Sequence, residues 1–240
     1  MNKLAWALAA LTLAACSQQT AEKNDAAAPA PADKATPAAA AVQNTAPAGQ
    51  YALDKTHASV TFRVNHLGMS RYTARFTDID GKLNFDPANP AAMSVEATID
   101  PKSIETDFPL DEPDFDEVLA GPQWLDAAKF PQITFKSTAV ETTGPNTAKV
   151  TGDLTLHGVT KPLTLDVTFN GGYAGNDIDP GGSRIGFSAE GKLKRSDYGV
   201  SMGVPAPGTT FGVGDEVELF IEAEFIRPRD GAAPAAKPAG

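Results

Sequence analysis

Histidine, cysteine and serine are the side chains of this sequence from which metal or nucleophilic chemistry would be built. The histidines His57, His66 and His157 are far apart along the chain, and Cys16 is its single cysteine. Structural zinc sites join such ligands at short, regular spacings that are missing here. Ser137 is isolated within an alternating segment, and the G-x-S-x-G pattern is absent. The sequence therefore predicts no catalytic residue, no metal and no cofactor, with His57 supporting a turn and His157 lying in a hairpin.

His66 and Arg195 are polar residues that fall in phase with apolar neighbours. His66 follows Val64 at a spacing of two, so we expect it to point inward near a rim. There it would either hydrogen-bond the polar end of a ligand or be satisfied by the backbone. Arg195 follows Leu193 in the same way. A buried guanidinium needs partners, which Asp197 or a ligand would supply; the alternative is a surface arginine beyond the end of its strand.

Cys16 ends an N-terminal segment that is typical of an export signal. The apolar run at 4–15 is far shorter than the roughly 20 residues that a transmembrane helix needs. It closes with Leu13-Ala14-Ala15-Cys16, which resembles the bacterial lipobox, where the cysteine receives a diacylglyceryl group. We predict a signal peptide at 1–15 and lipidation of Cys16. Ordinary cleavage next to an incidental cysteine is the alternative.

Composition separates a folded region from two ends that cannot build a core. Residues 16–48 are rich in Ala and contain no aromatic residue, which predicts a disordered linker behind the lipidated cysteine. Residues 228–240 are expected to form a disordered tail. The stretch 49–227 has the size of one domain. The net charge of -10, without a basic stripe, argues against nucleic acid and anionic headgroups as partners.

Alternation of apolar and polar residues dominates the folded region and predicts half-buried strands. The pattern is clearest at 59–66, 163–170 and 216–225, where Phe220 is the one apolar residue on the polar face. Further strands are expected at 72–86, 94–100, 131–141, 147–157 and 183–193, between turn-forming clusters of Pro, Gly, Asn and Asp.

The segment 101–129 breaks the alternation. Its apolar residues have no period of two, and residues 114–120 are compatible with a short helix. We therefore predict a loop with one or two helical turns that could act as a lid.

Successive antiparallel strands with one apolar face must stack as two sheets or close into a barrel. An eight-stranded barrel has an interior just wide enough for side chains or one small ligand. The inward set includes the small residues Ala97, Gly152, Ala189 and Gly191, which leave room in a lumen. The sequence thus predicts an all-β fold, an eight-stranded antiparallel barrel with a short helical or loop insertion between early strands. Periodicity alone leaves a sandwich open.

Several strings in this order resemble the YceI-like family of bacterial periplasmic proteins, from about residue 51 to 225. They are DKTHASV at 54–60, HLGMS at 66–70, DGKL at 80–83, WLD at 124–126, FKS at 135–137, GDLTLHGVTKPL at 152–163, RIGF at 184–187 and RSDYG at 195–199. The resemblance implies an extended, lipocalin-like, eight-stranded barrel that binds a long apolar chain of the polyisoprenoid or fatty amide class, without established catalysis.

The expected function is non-enzymatic binding of such a chain at the bacterial cell envelope, for carriage, storage or sequestration. Two alternatives are an accessory to a membrane redox system through a bound isoprenoid quinone and an enzyme acting on lipid. We expect a lipid-anchored, periplasm-facing protein at the outer membrane, and a homodimer stays open. The predicted ligand-binding residues are Phe62, Val64, His66, Phe76, Ala97, Phe135, Leu154, Leu165, Val167, Ile185, Phe187, Arg195, Leu219 and Ile221.

Overall fold

The computed structural model describes residues 42–110, 112–179 and 181–229. In these ranges β-strands dominate, with one α-helix and three short 3-10 turns. The strands are β1 (Gly49–His66), β2 (Ser70–Phe76), β3 (Ile79–Phe85), β4 (Ser94–Ile99), β5 (Ile104–Glu105), β6 (Ile133–Thr142), β7 (Thr147–Leu156), β8 (Val159–Tyr173), β9 (Gly182–Lys194) and β10 (Val213–Pro228). The helix α1 spans Phe115–Ala120.

The strands close into an antiparallel barrel. Eight of them follow one another around the ring in the order β1, β10, β9, β8, β7, β6, β4 and β3, and β3 pairs with β1 again. β1 is long enough to pair with β3 near Gly49 and with β2 near His66, while β10 covers its other edge. Closure removes the free edges that each alternating strand would otherwise expose. The predicted all-β barrel is therefore confirmed, and the sandwich is excluded.

The stretch predicted as one strand at 72–86 is instead two strands, with a break at Thr77 and Asp78. The Thr77 amide donates to the carbonyl oxygen of Ser103, 3.0 Å away, rather than to a neighbouring barrel strand. Before the break, β2 pairs with β1 on one side and with the two-residue strand β5 on the other. The break thus joins the barrel wall to the segment that follows β4.

One end of the barrel is filled by aromatic side chains, and we call it the aromatic end. Tyr51, Phe85, Phe169, Phe187 and Phe225 form a chain of ring contacts with centroid separations from 5.5 to 6.2 Å. Edge-on and tilted ring pairs of this kind add to the stabilisation that area burial gives. Residues of β1, β3, β8, β9 and β10 contribute to this cluster, which therefore ties these five strands together.

Residues 42–48 lie against the barrel, although composition placed them in the linker. Ala46 is buried, Asn44 forms an isolated bridge with Gly172, and the Tyr51 hydroxyl donates to the Pro47 carbonyl at 2.7 Å. The packed region therefore begins before residue 49. The predicted signal peptide, Cys16, the rest of the linker and the tail beyond residue 229 lie outside the described residues. Among the described residues, no helix is long and apolar enough to cross a membrane.

Candidate functional site

The barrel encloses a cavity of about 560 Å³, which is within the range of small-molecule sites. Its wall is almost entirely apolar because the strands turn one face of their alternating pattern inward. With the exception of Ile185, every predicted ligand-binding residue lies on this wall: Phe62, Val64, His66, Phe76, Ala97, Phe135, Leu154, Leu165, Val167, Phe187, Arg195, Leu219 and Ile221. Their role in binding stays a prediction.

Ile185 is buried outside the cavity. Only 1 % of its surface is exposed, and it packs among the side chains of the aromatic end. Its strand neighbour Phe187 reaches both the cavity and the aromatic cluster. The alternation of β9 correctly places Ile185 inside the barrel, but an interior position at a filled end does not face the lumen.

The inward glycines leave less room than the sequence suggests. A Cβ atom at Gly152 would lie 2.4 Å from the Phe135 ring, and one at Gly191 would lie 2.5 Å from a methyl group of Leu165. Large neighbouring side chains therefore occupy the space that the glycines free. Ala97 and Ala189, by contrast, line the cavity as expected.

The segment between β5 and β6 covers the end of the cavity opposite the aromatic end, so it holds the position of the predicted lid. Asp114 caps α1 by accepting a hydrogen bond from the Glu117 amide at 3.0 Å. Thr106 is held to the helix because its hydroxyl donates to the Asp116 carboxylate at 2.5 Å. The lid contributes apolar wall residues that were not in the predicted set: Phe108, Phe115, Leu119, Trp124 and Leu125. In the sequence, these residues are marked only by a run of apolar residues that lacks the two-residue period of a strand.

His66 lies at the lid end of β1 and is exposed, although it also borders the cavity. Its ring centroid is 6.5 Å from that of Tyr72, which packs edge-on against Phe115 of the lid at 6.0 Å. The Tyr72 hydroxyl donates to the Thr106 carbonyl at 3.4 Å. His66 is therefore a rim residue, as the sequence predicted, next to a contact between barrel wall and lid.

Arg195 is buried at the same end, with 5 % of its surface exposed. Its guanidinium donates to the carbonyl oxygens of Gly214, Val200 and Val213 at 2.8, 2.8 and 2.6 Å, and its carbon Cζ lies 5.4 Å from the Trp124 ring centroid. Burial lowers the pKa of this guanidinium, and the charge of a nearby carboxylate opposes that effect. The backbone supplies the partners that a buried cation requires.

Asp197, offered by the sequence as the partner of Arg195, pairs with Lys161 at 3.2 Å instead. The alternative of a surface arginine is also wrong, since Arg195 is buried on the cavity wall. Arg195 holds the chain around Val200 against the first residues of β10. The spacing of two residues from Leu193 correctly predicted that the Arg195 side chain points inward, but it did not predict which carbonyl groups the guanidinium contacts.

A second polar cluster lies on the outer face near the aromatic end. Ligand atoms of Asp54, His57 and Glu224 lie within 4.8 Å of one another. Arg184 occupies the same place, because its guanidinium pairs with Asp54 and Asp179 and approaches Glu224 at 3.4 Å. A metal ion would have to displace this cation. The arrangement therefore works as an ion-pair network, in which His57 Nδ1 donates a hydrogen bond to the Asp54 carboxylate, 3.0 Å away. The sequence prediction of a turn at His57 is wrong, because His57 lies within β1, in the irregular stretch between Leu53 and Ala58.

Asp54 shows how strongly that network favours its charged form. Burial by itself raises the pKa of the Asp54 carboxyl, but hydrogen bonds from Thr56, Arg184 and His57 together outweigh burial and hold the pKa well below its usual range. Burial lowers the pKa of the Arg184 guanidinium, but the carboxylates of Asp54 and Asp179 outweigh burial and raise it. The network stabilises strand pairing and faces away from the cavity.

His157 lies in the tight turn between β7 and β8, as the sequence predicted. Its φ of 51° and that of Gly158, 75°, are both positive, as a two-residue hairpin of this kind requires. The His157 ring packs at a tilt against the Phe130 ring, with centroids 4.5 Å apart, and its Nδ1 atom is 3.1 Å from the Tyr198 carbonyl oxygen. This histidine joins the hairpin to the lid and to the turn after β9.

The fold and the sequence motifs of this chain match those of known proteins. The model of the YceI-like domain matches residues 51–225, which is most of the chain. The chain belongs to the YceI-like family. It is 40 % identical over 188 residues to the protein YceI of Salmonella arizonae, covering 77 % of this chain and 91 % of that one.

Solved structures of similar proteins have the same barrel. The Burkholderia cenocepacia protein BcnA has a TM-score of 0.59 and 29 % identity, over 72 % of this chain and 98 % of BcnA. The Campylobacter jejuni YCEI protein has a TM-score of 0.56 and 30 % identity, over 68 % and 90 %. A polyisoprenoid binding domain from Saccharophagus degradans shares the fold at 17 % identity, with a TM-score of 0.52, over 74 % and 98 %. This YceI-like chain therefore has the fold of a barrel-type binding protein.

Proposed function

We propose that this YceI-like protein binds one long apolar chain inside its barrel and does not transform it. The observation that carries the proposal is the cavity of about 560 Å³ with an apolar wall from the aromatic end to the lid. Each buried CH₂ group contributes about 0.8 kcal/mol before ordering costs, so a long chain gains enough to bind. A wall of this kind selects for length and apolarity rather than for a particular headgroup.

The polar side chains at the lid end support binding rather than chemistry. Arg195 already donates three hydrogen bonds to backbone carbonyls, and His66 lies exposed at the rim. General acid or base work would need His66 close to a second polar group and to a reacting atom. Its described ring neighbour is Tyr72, at 6.5 Å between centroids.

The ligand class that we propose is a polyisoprenoid or a long fatty amide. The family resemblance and the polyisoprenoid binding of a protein with the same fold support that class. We also propose that the protein acts at the bacterial cell envelope, where it is lipid-anchored at Cys16 and faces the periplasm at the outer membrane. A lipidated cysteine holds a protein at a membrane without a spanning helix.

Mass spectrometry of natively purified, then denatured protein tests the proposal. We expect one long-chain apolar molecule per barrel. After its extraction, we expect the protein to take up a polyprenol or a long-chain fatty amide. An empty cavity that also refuses both probes would contradict the proposal, and a chemically changed probe after prolonged incubation would indicate an enzyme instead.

A pair of adjacent substitutions on β8 locates the binding site. Val167 lines the cavity, whereas Thr168 is exposed on the outer face. Val167→Trp should fill the lumen and reduce uptake of the chain at least ten-fold, and Thr168→Trp should leave uptake unchanged. Equal uptake by both variants would place the ligand outside the barrel.

A further inference from the structure

Three segments meet around the lid end of the barrel, and together we call them the rim. They are the β1–β2 turn at 66–70, the loop at 199–212 and the first part of the lid, residues 106–110 and 112–120. The Leu67 amide donates to the Gly212 carbonyl at 2.8 Å, and His66 pairs with Val213. Tyr72, just after the turn, contacts the lid through Phe115. The rim is thus one continuous border of the cavity.

Large apolar side chains are exposed on this rim. Met69, Phe211 and Leu110 are 78 %, 82 % and 60 % exposed, and Met202 is 47 % exposed. Among the described residues, every large hydrophobic side chain that is classed as exposed lies on the rim, apart from Val42 and Ile178. Exposed apolar groups that gather at one place mark a surface that binds another apolar phase.

The charges of the rim indicate which phase that is. Residues 199–214 contain no charged side chain, and neither do residues 67–70, in a chain that is 21 % charged. The lid sequence carries Asp107, Asp111, Glu112, Asp114, Asp116 and Glu117, which would repel an anionic surface. Uncharged loops with exposed Met and Phe enter a bilayer interface without the cost of desolvating an ion. A neutral lipid surface fits both parts of the rim.

Part of the cavity wall is exposed at the rim. His66 is exposed and Phe108 is 38 % exposed, and both border the cavity. A chain of about 20 carbons that crossed water would expose apolar surface at about 0.8 kcal/mol per CH₂ group, so a path that avoids water lowers the barrier to exchange.

We propose that the rim docks on an electrically neutral lipid bilayer, with Met69, Met202 and Phe211 entering the interface and the lid remaining at headgroup level. An apolar chain then passes between the bilayer and the cavity without entering bulk water. The second statement rests on the proposed function, whereas the docking itself does not require a ligand.

A fluorescent label that reports local polarity tests docking on the full chain with Cys16→Ser as background. Ser201→Cys places the label beside Met202 on the rim, and Asn89→Cys places it on an exposed turn after β3, near the aromatic end. With phosphatidylcholine vesicles, the emission at position 201 should rise several-fold and shift to the blue, while emission at position 89 stays constant. The N-terminal segment is common to both proteins, so its own attachment cannot produce the difference.

Two further variants identify the residues that insert. Met69→Ser combined with Phe211→Ser should abolish the rise at position 201, whereas Ile178→Ser, at an equally exposed site away from the rim, should leave it intact. Thermal unfolding should be unchanged in all of them, because these side chains are exposed.

Several results would overturn the docking proposal. They are a constant signal at position 201, an equal rise at position 89, a rise only with phosphatidylglycerol vesicles, or a rise with protein concentration alone, which would make the rim an interface between two copies. If Val167→Trp abolishes uptake of the chain but the label still responds to vesicles, docking stands apart from the ligand site. If docking fails while uptake persists, the proposed function stands without it.

Discussion

The two ends of the barrel are built from the same alternating strands but are closed by different structures. At the aromatic end, Tyr51, Phe85 and Phe225 are buried and fill the interior. At the lid end, loops surround the cavity, and Phe211 is 82 % exposed. Burial of large rings stabilises the fold, whereas exposed rings contribute nothing to it. The aromatic end therefore supports the fold, and the lid end is available for function.

Two arginines show the same contrast in electrostatics. Arg184 pairs with Asp54 and Asp179 on the outer face near the aromatic end. Arg195 at the lid end donates to three backbone carbonyls, and no carboxylate of the described residues is in hydrogen-bond contact with it. A cation held by carbonyls fixes the path of a loop and leaves a positive charge beside the cavity. The first arginine joins strands, while the second positions the rim.

The largest expected effect on stability comes from removing a buried phenylalanine, and it can be compared directly with removal of an exposed one. Phe225→Ala removes a ring at 5 % exposure from the aromatic end and should lower the free energy of unfolding by about 3–5 kcal/mol. Phe211→Ala at the rim should change it by less than about 0.5 kcal/mol. Urea unfolding measures both. Equal losses would mean that the rim is packed in solution.

A smaller loss is expected when the rim loses its arginine. Arg195→Gln removes hydrogen bonds from three backbone carbonyls and should cost about 3 kcal/mol, because buried acceptors are left without donors. Hydrogen exchange should accelerate at residues 199–204 more than in β8. Arg63→Gln is the matched control, since Arg63 is exposed and contacts only the outward Phe220 ring, 4.6 Å away, among its described interactions. A loss spread evenly over the barrel would argue against a positioning role.

The smallest effect depends on pH. Because the pKa of Asp54 is lowered in the folded protein, Asp54 adds stability above its unfolded pKa of about 3.9, and this is lost as pH falls through the folded value. Asp54→Asn should lower the free energy of unfolding by about 2 kcal/mol at pH 7. The difference from the native chain should shrink below about pH 4. Asp166→Asn, at an exposed pair with Lys149, is the control, and a pH-independent difference would remove the ion-pair explanation.

Strand alternation predicted most of the cavity wall correctly. Phe62, Val64, Leu165 and Leu219 line the lumen because successive side chains of a strand point to opposite faces. Alternation did not predict the break at Thr77, where the backbone hydrogen-bonds outside the ring. It also could not separate Ile185 from its neighbours, since an inward side chain faces either a cavity or a filled end.

The lid residues were beyond sequence periodicity for a different reason. Phe108, Phe115 and Trp124 reach the cavity through a path with a two-residue strand, a six-residue helix and hydrogen-bonded turns. No single period describes such a segment. Its apolar content indicated burial, but the partners of its aromatic rings, such as Tyr72 for Phe115, come from a distant strand.

By itself, the sequence determined the all-β class and the inward face of each long strand, because these depend on local pattern. Lipid attachment at Cys16 stays a prediction. Tertiary structure alone decided that the aromatic rings fill one end, that Arg195 meets carbonyls of a distant loop and that Met69 and Phe211 share one rim. Those contacts join residues far apart in the chain, and only the closure of the strands brings them together. The anchor predicted at Cys16 and the docking proposed for the rim therefore rest on independent features.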